Sequence, residues 1–263
     1  RYQFGFCRKT SAPISGVAMR LKLISCEVFY REMCWLIARS PHTVDVEFLR
    51  KGIHDLGGRK MSELMQEQLD AVDETPYDAV LLGYGLCGNG LAGLRARTVP
   101  LVLPRAHDCI TLFLGSRARY AEHFTEHPDT YYLTSGWLER GEGNMEQHVF
   151  MRPGSQLASF SDLVDRYGEE TAQYMAEELG LYRPPEQYTF IEMGIEGDDR
   201  FEQQAKERAR ERECGFEKLR GSMALLEKLV NGEWNEKDFL VCPPGNRIES
   251  DPADAGIVKA VEE

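Results

Sequence analysis

The sequence predicts an α/β fold built on a parallel, Rossmann-like sheet with helices on its faces. Strand-like and helix-like segments alternate along the chain, as they do in repeated βαβ units. Residues 78–82 are short, end in four consecutive apolar side chains and lie between Pro76 and Gly83. This pattern is typical of a parallel strand that is covered on both faces. Ligands of open α/β sheets bind beyond the carboxyl ends of the strands, so we expect the functional site at that edge.

Apolar periodicity predicts the elements in chain order. Strands are predicted over residues 21–25, 44–49, 78–82, 99–103, 130–133, 188–193 and 239–241. Helices are predicted over residues 28–38, 60–72, 110–123, 160–179, 200–212 and 216–230. The mixed charges of 200–212 are typical of a helix with a solvated face.

We expect these elements to form two lobes. Residues 1–18 are interpreted as an extension outside the fold, and residues 19–135 as an N-terminal α/β lobe that carries the site. Residues 136–247 form the predicted C-terminal α/β lobe, which begins with a Gly-rich connection, and residues 248–263 form a frayed acidic tail. The Cys242-Pro-Pro-Gly245 loop of the second lobe is expected to face the site on the first.

Composition narrows the class of protein. The 263 residues carry a formal net charge of −12, which argues against a general binder of nucleic acid or of anionic membranes. No run approaches the roughly 18 apolar residues of a membrane span. The seven cysteines are odd in number and scattered, and residues 1–18 lack the apolar core of a signal peptide. We therefore expect a cytoplasmic protein whose cysteines are buried, ligate a metal or act as nucleophiles.

Thiols and imidazoles follow most of the predicted strands of the first lobe. Zinc and iron–sulfur clusters both take such ligands, and the ligands can come from separate loops. Each cysteine taken alone is also compatible with an inert buried residue. The candidate ligands at strand ends are Cys26, His54, Cys87, His107, Cys109 and Cys242.

The remaining thiols and imidazoles fall elsewhere in the pattern. Cys34 lies within a predicted helix, Cys7 in the extension and Cys214 after the charged helix. Four histidines on polar stretches are predicted to be solvated, namely His42, His123, His127 and His148.

A glycine-rich loop, residues 83–90, follows the third predicted strand. Gly83, Gly85 and Gly88 satisfy the GxGxxG pattern of dinucleotide-binding folds, and Asp108 lies about 20 residues further on. However, the strand is not the first, and residues 91–98 are too few for a full crossover helix. The loop is then either a tight turn or a place where backbone approaches a metal or a small anion, with Gly85, Gly88 and Asn89 as candidate cofactor-binding residues.

The tripeptide His107-Asp108-Cys109 ends the fourth strand and opens a helix. Asp108 is a candidate catalytic carboxylate or simply an N-cap. The helix dipole would favour the thiolate form of Cys109, whether it acts as a ligand or as a nucleophile. His107 is a candidate ligand or a general base.

Two further charged residues lie beside these motifs. Glu27 follows Cys26 and is a candidate carboxylate behind the ligands, although a surface ion pair is equally compatible. Arg105 is a candidate for binding an anionic cofactor or substrate, or for pairing with Asp108.

Three sequence blocks resemble the signature blocks of a prokaryotic family, the domain of unknown function family 1638. The blocks are residues 22–28, 82–90 and 104–111, and the similarity extends over roughly residues 19–247. The family brings no established activity. Its occurrence in anaerobic bacteria and archaea beside corrinoid-dependent methyltransferase systems implies a role in one-carbon metabolism.

Three readings follow from these residues and this resemblance. The first is a metal-dependent enzyme in which Cys26, Cys87 and Cys109 hold zinc or an iron–sulfur cluster, with His107 as a fourth ligand or an acid–base group. The open position would activate a thiol, a water or a methyl acceptor. The resemblance implies methyl transfer, and the residues alone support hydrolysis equally well. The second is a non-catalytic accessory protein that carries a cluster or a corrinoid for a methyltransferase partner. The third is a metal-free enzyme with a cysteine nucleophile and His107 as its base.

Overall fold

The fold is organised around a five-stranded sheet. The structure, a computed structural model, describes residues 17–127, 130–140, 186–251 and 257–262, together with 168, 171 and 174. Within these residues the strands are β1 (Arg20–Cys26), β2 (Thr43–Leu49), β3 (Ala79–Gly83), β4 (Leu101–Pro104), β5 (Thr130–Thr134), β6 (Gln187–Glu192), β7 (Gly215–Arg220), β8 (Phe239–Cys242), β9 (Asn246–Asp251) and β10 (Ile257–Glu262).

The large sheet has the strand order β2-β1-β3-β4-β8. The first four strands are parallel, and β8 pairs antiparallel with β4. All five residues of β3 are buried, as the apolar run predicts for a central strand covered on both faces. The prediction of an α/β fold with a parallel, Rossmann-like sheet is confirmed.

Helices cover the sheet and connect its strands. Their bounds are α1 (Tyr30–Ile37), α2 (Gly58–Ala71), α3 (Cys109–Leu114), α4 (Arg117–Glu126), α5 (Ser135–Glu139), α6 (Arg200–Glu211) and α7 (Ala224–Val230). Short 3-10 turns over Glu27–Phe29 and Lys51–Leu56 follow β1 and β2. No helix in the described ranges combines the length and the hydrophobicity needed to cross a membrane.

The single helix predicted over residues 110–123 is wrong, because it is two helices. Gly115 ends α3 with a left-handed φ of 75°, a conformation that glycine adopts without strain. Ser116 then caps α4, since its side chain accepts a hydrogen bond from the amide of Arg119.

The helix predicted over residues 216–230 is also wrong in its first half. Residues 215–220 are the strand β7, which pairs in parallel with β6 along its whole length, and the helix α7 begins only at Ala224. Pairing with β6 overrides the local amphipathic pattern, because strand formation depends on neighbours that the pattern does not contain. With β5, these strands form a second, three-stranded parallel sheet.

The C-terminal residues are more ordered than the predicted frayed tail. Strands β9 and β10 form an antiparallel hairpin, and Ile248 and Val258 are buried in the main core. Strand β8 falls in the predicted C-terminal lobe, but it belongs to the large sheet, whose other strands lie in the predicted N-terminal lobe. Most of the helix predicted over residues 160–179 and most of the connection over 136–158 lie outside the described residues.

The segment around β5 and α5 packs tightly against the large sheet. A Cβ atom on Gly136 would lie 1.8 Å from the carbonyl oxygen of Val28, so only glycine fits there. Phe29 and Phe113 stack nearby, with their ring centroids 4.5 Å apart. The end of β1, the start of α5 and the helix α3 therefore meet in one packed region.

Helix α1 carries a buried acid in this region. No hydrogen bond from another residue of the described chain reaches the carboxyl oxygens of Glu32. Burial raises the pKa of Glu32 from 4.5 to about 7, and the nearby Glu196 raises it further while Arg31 opposes the shift.

We expect Glu32→Gln to remove a pH dependence of stability. The folded state holds the Glu32 proton more tightly than the unfolded chain, so wild-type stability should fall as pH rises from about 4.5 to about 7. Urea unfolding at a series of pH values measures this slope. Glu63→Gln, on the exposed face of α2, is the control that should leave the slope unchanged. An unchanged slope in Glu32→Gln would contradict the assignment.

Candidate functional site

Three cysteines meet at the carboxyl edge of the large sheet. Cys26 is the last residue of β1, Cys87 lies in the loop after β3, and Cys109 is the first residue of α3 after β4. The chain passes from β1 to β2 on one side and to β3 on the other, so this edge contains the topological switch point of the sheet. One pocket is lined by Cys26, Val28, Phe29, Lys51, Tyr84, Gly85, Cys87, Cys109 and Trp137.

Backbone hydrogen bonds hold Cys87 next to the loop that carries Cys109. The amide of Leu86 donates to the carbonyl of Ala106 at 2.8 Å, and the amide of Cys87 donates to the carbonyl of His107 at 2.9 Å. A Cβ atom on Gly85 would lie 2.5 Å from the carbonyl carbon of Asp108. Gly85 therefore has a clear function here, because its missing side chain lets the two loops touch.

Cys87 itself has a strained backbone. Its φ of 46° lies in the left-handed region, and Gly88 and Asn89 continue that conformation with φ values of 64° and 68°. A non-glycine residue in this region costs about 1–3 kcal/mol, and such strain clusters at functional sites. Gly88 and Asn89 do not line the thiol pocket but a separate one, together with the start of α2.

No helix follows the glycine-rich loop before β4, since residues 84–100 form turns and an isolated bridge. The helix N-terminus that binds a pyrophosphate in a dinucleotide fold is therefore missing after the GxGxxG pattern. This agrees with interpreting the glycines as close-approach and turn positions.

The environment keeps the thiols protonated. Burial raises the pKa of Cys87, Asp108 and Cys26 raise it further, and the backbone amides of Cys109 and Gly85 oppose the shift. Burial likewise raises the pKa of Cys109 well above its ordinary value, and the Trp137 side chain opposes that shift. Near neutral pH both side chains are neutral thiols.

Five of the nine residues that line the pocket were not predicted from the sequence, and three of these five carry a polar group, namely Lys51, Tyr84 and Trp137. Lys51 is only 6% exposed, and its Nζ atom lies 5.1 Å from the centre of the Trp137 ring. Tyr84 is 3% exposed, and its hydroxyl has no hydrogen-bond partner among the described residues. A buried hydroxyl without a partner is unfavourable by about 1–3 kcal/mol, so Tyr84 points to a ligand that would complete the pocket.

Glu27 holds the backbone of Lys51 in place. Its Oε1 atom accepts a hydrogen bond of 3.0 Å from the backbone amide of Lys51. The candidate catalytic carboxylate is thus placed to position Lys51, and its charge also contributes to raising the pKa of Tyr84, after burial, Cys26 and Cys87.

Asp108 is the N-cap of α3, which was one of the two predicted roles. Its Oδ1 atom accepts from the amide of Thr111 at 3.1 Å, and its Oδ2 atom accepts from the hydroxyl of Tyr120 at 2.9 Å. Burial opposes ionisation, but hydrogen bonds from His107, Thr111 and Tyr120 hold the pKa of Asp108 below its ordinary value.

His107 faces Asp108 and lies outside the thiol pocket. Its Nδ1 atom is 3.2 Å from Asp108 Oδ2, and its side chain is 53% exposed. The hydrogen bond with Asp108 raises the pKa of His107, with burial opposing. This contact occupies the imidazole, so the structure favours an ion pair with Asp108 over a base beside Cys109.

Two predicted site residues lie elsewhere. Cys242 is buried at the opposite edge, because β8 runs antiparallel to β4 and Cys242 pairs with Leu101 at the start of that strand. Arg105 follows β4, but its guanidinium donates to the carbonyls of Glu236, Phe239 and Val258. It therefore holds β8 and β10 in place.

The remaining cysteines and two of the histidines lie either away from the site or outside the described part of the chain. Cys34 is exposed on α1, and Cys214 lies outside the site. Cys7, His148 and the side chain of His54 lie outside the described part of the chain.

The predicted solvation of the remaining histidines is wrong. His42 uses both ring nitrogens, one accepting from the amide of Met19 and the other facing the carbonyl of Asn231. His123 is buried against Tyr132 and Glu217, and His127 is only partly exposed beside it. The polar sequence around these residues predicted solvated side chains, whereas in the structure they make polar contacts within the fold.

His123 and His127 belong to a group of side chains whose geometry could bind a metal ion. His123, His127 and Glu217 bring one ligand atom each to within 4.8 Å of one another. Among the described residues it is the one group of three or more His, Cys, Asp or Glu side chains found with this geometry, and the three cysteines of the pocket are not such a group.

These features define an α/β protein with a doubly wound sheet and a thiol-lined pocket at its switch point. The chain belongs to the protein family of unknown function DUF1638, whose family model matches residues 48–230. The resemblance seen in the sequence blocks is thereby confirmed. No curated protein and no solved structure showed significant similarity to the chain.

We expect Asp108→Asn to lower the pKa of His107 towards the value of about 6.5 found in unstructured peptides. The ion pair stabilises the fold between the lowered pKa of Asp108 and the raised pKa of His107, and its contribution is lost as pH rises through the latter. NMR titration of the His107 ring measures the shift. Asparagine retains the N-cap, so an unchanged circular dichroism spectrum is the control. An unchanged His107 pKa would contradict the pairing.

Proposed function

We propose that Cys26, Cys87 and Cys109 bind zinc or an iron–sulfur cluster, and that the protein is a metal-dependent cytoplasmic enzyme of methyl-transfer metabolism. The observation that carries the proposal is the pocket itself. Three thiols from three separate strand ends line it together with a buried hydroxyl that lacks a partner.

The chemistry of the donor set supports a metal. Zinc and iron–sulfur clusters take cysteine thiolates, and metal binding removes the thiol protons. Burial makes these thiolates unfavourable by themselves, so a cation is needed to stabilise them. The buried Lys51 adds a second positive charge beside the thiols.

The spacing of the sulfur atoms bears on the type of metal. A single zinc ion needs all its ligands about 2.3 Å away, so the three side chains would have to rotate towards one point. A cluster tolerates wider spacing, because its cysteines bind different iron atoms. Three protein thiolates also leave one coordination position open in either case.

The open position suits a small-molecule substrate. A bound metal would act as a Lewis acid that keeps a substrate thiol as its thiolate, the form that accepts a methyl group. Tyr84 can donate a hydrogen bond to the substrate, and Lys51 can neutralise an anionic part of it. The family resemblance supports a corrinoid protein as the partner that supplies the methyl group.

A metal-free cysteine nucleophile fits the pocket less well. Such a nucleophile needs a lowered pKa or an adjacent base, whereas burial raises the pKa of both Cys87 and Cys109. The imidazole of His107 is directed to Asp108.

Anaerobic purification with metal analysis tests the metal part of the proposal. We expect stoichiometric iron with a brown colour, or zinc in a colourless protein, and loss of that metal in Cys26→Ala, Cys87→Ala and Cys109→Ala. Cys34→Ala, on the exposed face of α1, should retain full metal content and is the matched control. Equal metal content in all four variants would overturn the thiol site.

A methyl-transfer assay tests the reaction class separately. The loaded protein is mixed with a methylated corrinoid protein and a thiol acceptor, and loss of the methyl–cobalt absorption is followed. We expect turnover that Cys109→Ala abolishes. A protein that holds its metal but shows no turnover would contradict the enzymatic part and leave a carrier role.

A further inference from the structure

We infer that His123, His127 and Glu217 form a second metal site, specific for a divalent first-row transition ion such as zinc and separate from the thiol pocket. Its ligands come from α4, from the residue that follows α4 and from β7, and none of them lines the pocket. The inference therefore does not depend on the proposed function of the cysteines.

The ligand set has the composition of a catalytic metal centre. His123 lies in the last turn of α4, His127 is the residue that follows the end of this helix, and Glu217 approaches both from a neighbouring strand. His123 Nε2 lies 3.0 Å from Glu217 Oε2, and the rings of His123 and His127 have centroids 4.8 Å apart. Ligand atoms around a tetrahedral zinc ion lie about 3.4 Å apart, so only a small closure is needed.

Surrounding residues orient the ligands in the manner of metal sites. The Tyr132 hydroxyl is 2.7 Å from His123 Nδ1, which leaves Nε2 directed to the site. Gln187 and Thr189 donate to Glu217 Oε2 at 2.8 and 3.1 Å. Partners of this kind fix the orientation of metal-binding histidines and carboxylates.

Two of these partners, Tyr132 and Thr189, lie in one row with Glu217 across the three strands of the second sheet. Tyr132 of β5 pairs in register with Thr189 of β6, and Thr189 pairs with Glu217 of β7. Three polar side chains thus stand side by side under α4. Buried polar groups are unfavourable unless they are fully satisfied, so a row of them on the covered face of a sheet indicates a site.

A hydrogen-bond network without a metal explains only part of this arrangement. It accounts for His123, whose two ring nitrogens face Tyr132 and Glu217. It does not account for His127, whose ring stacks on that of His123 and brings a second imidazole nitrogen to the same point. A shared metal ion explains both histidines.

The donor types select the class of ion. Two imidazoles and one carboxylate suit zinc, and they also suit non-haem iron(II), because both leave coordination positions open. Calcium and magnesium prefer oxygen ligands and are not expected to bind.

Cobalt(II) titration of the full chain, with cobalt as a spectroscopic substitute for zinc, tests the site. Cobalt bound by nitrogen and oxygen shows d–d absorption without the sulfur-to-metal charge-transfer band that cysteine ligands give. We expect such a nitrogen–oxygen site in the wild type and in Cys109→Ala. Its presence in Cys109→Ala, whatever happens to the charge-transfer band, separates this inference from the thiol site.

Graded variants identify the ligands. His127→Ala and Glu217→Gln should weaken cobalt binding more than about 100-fold, whereas Tyr132→Phe should weaken it about tenfold, as loss of an orienting partner does. Glu122→Gln, exposed on the same helix, is the matched control. Glu217→Gln retains the size and hydrogen-bonding capacity of the side chain, so it remains informative if an alanine variant fails to fold.

The melting temperature gives a second readout. In the Cys109→Ala background, which removes the thiol site, zinc should raise it in the parent and in Glu122→Gln, but not in His127→Ala or Glu217→Gln, because an ion that binds only the folded state stabilises it. Absence of nitrogen–oxygen cobalt absorption in the folded wild type, or equal binding in Glu217→Gln and the wild type, would overturn the site.

Discussion

The contact between the loop after β3 and the loop after β4 is the constraint on which the candidate site depends. Two amide–carbonyl hydrogen bonds, from Leu86 to Ala106 and from Cys87 to His107, make the loops adjacent. Gly85 allows that approach because any side chain would collide with the backbone of Asp108. The left-handed conformation of Cys87 follows from this contact and places its thiol beside Cys109.

The sequence was sufficient to bring Cys26, Cys87 and Cys109 together. Parallel strands end at the same edge, so thiols that follow such strands are expected on one side of the sheet, and the loop contact then brings them to one pocket. Cys242 could not be placed in this way. It also ends a strand, but the direction of β8 depends on its pairing with β4, and no local pattern records strand direction. Lys51 and Tyr84 were missed because each is a single polar residue in a loop, where periodicity carries no information about burial.

The second sheet could be predicted even less well from local sequence patterns, because its strands are defined by their pairing. Glu217 lies in a segment that reads as an amphipathic helix, and only its pairing with Thr189 makes it a strand residue. Without that register, the sequence does not show that Tyr132 and Glu217 lie in one row. The spacing of His123 and His127 was the one available signal. His127 comes directly after the last residue of α4, and the end of the helix places its imidazole beside that of His123.

Helix α4 links the two places where metals are proposed to bind. Tyr120, near its start, donates to Asp108, which caps the helix that begins with Cys109. His123, one turn later, bonds to Tyr132, whose ring lies 6.4 Å from that of Tyr120. Burial and the charges of Asp108 and Glu217 raise the pKa of Tyr132, so its hydroxyl stays protonated. Helix α4 therefore contacts both places, one through the hydrogen bond of Tyr120 with the N-cap of α3 and the other through His123.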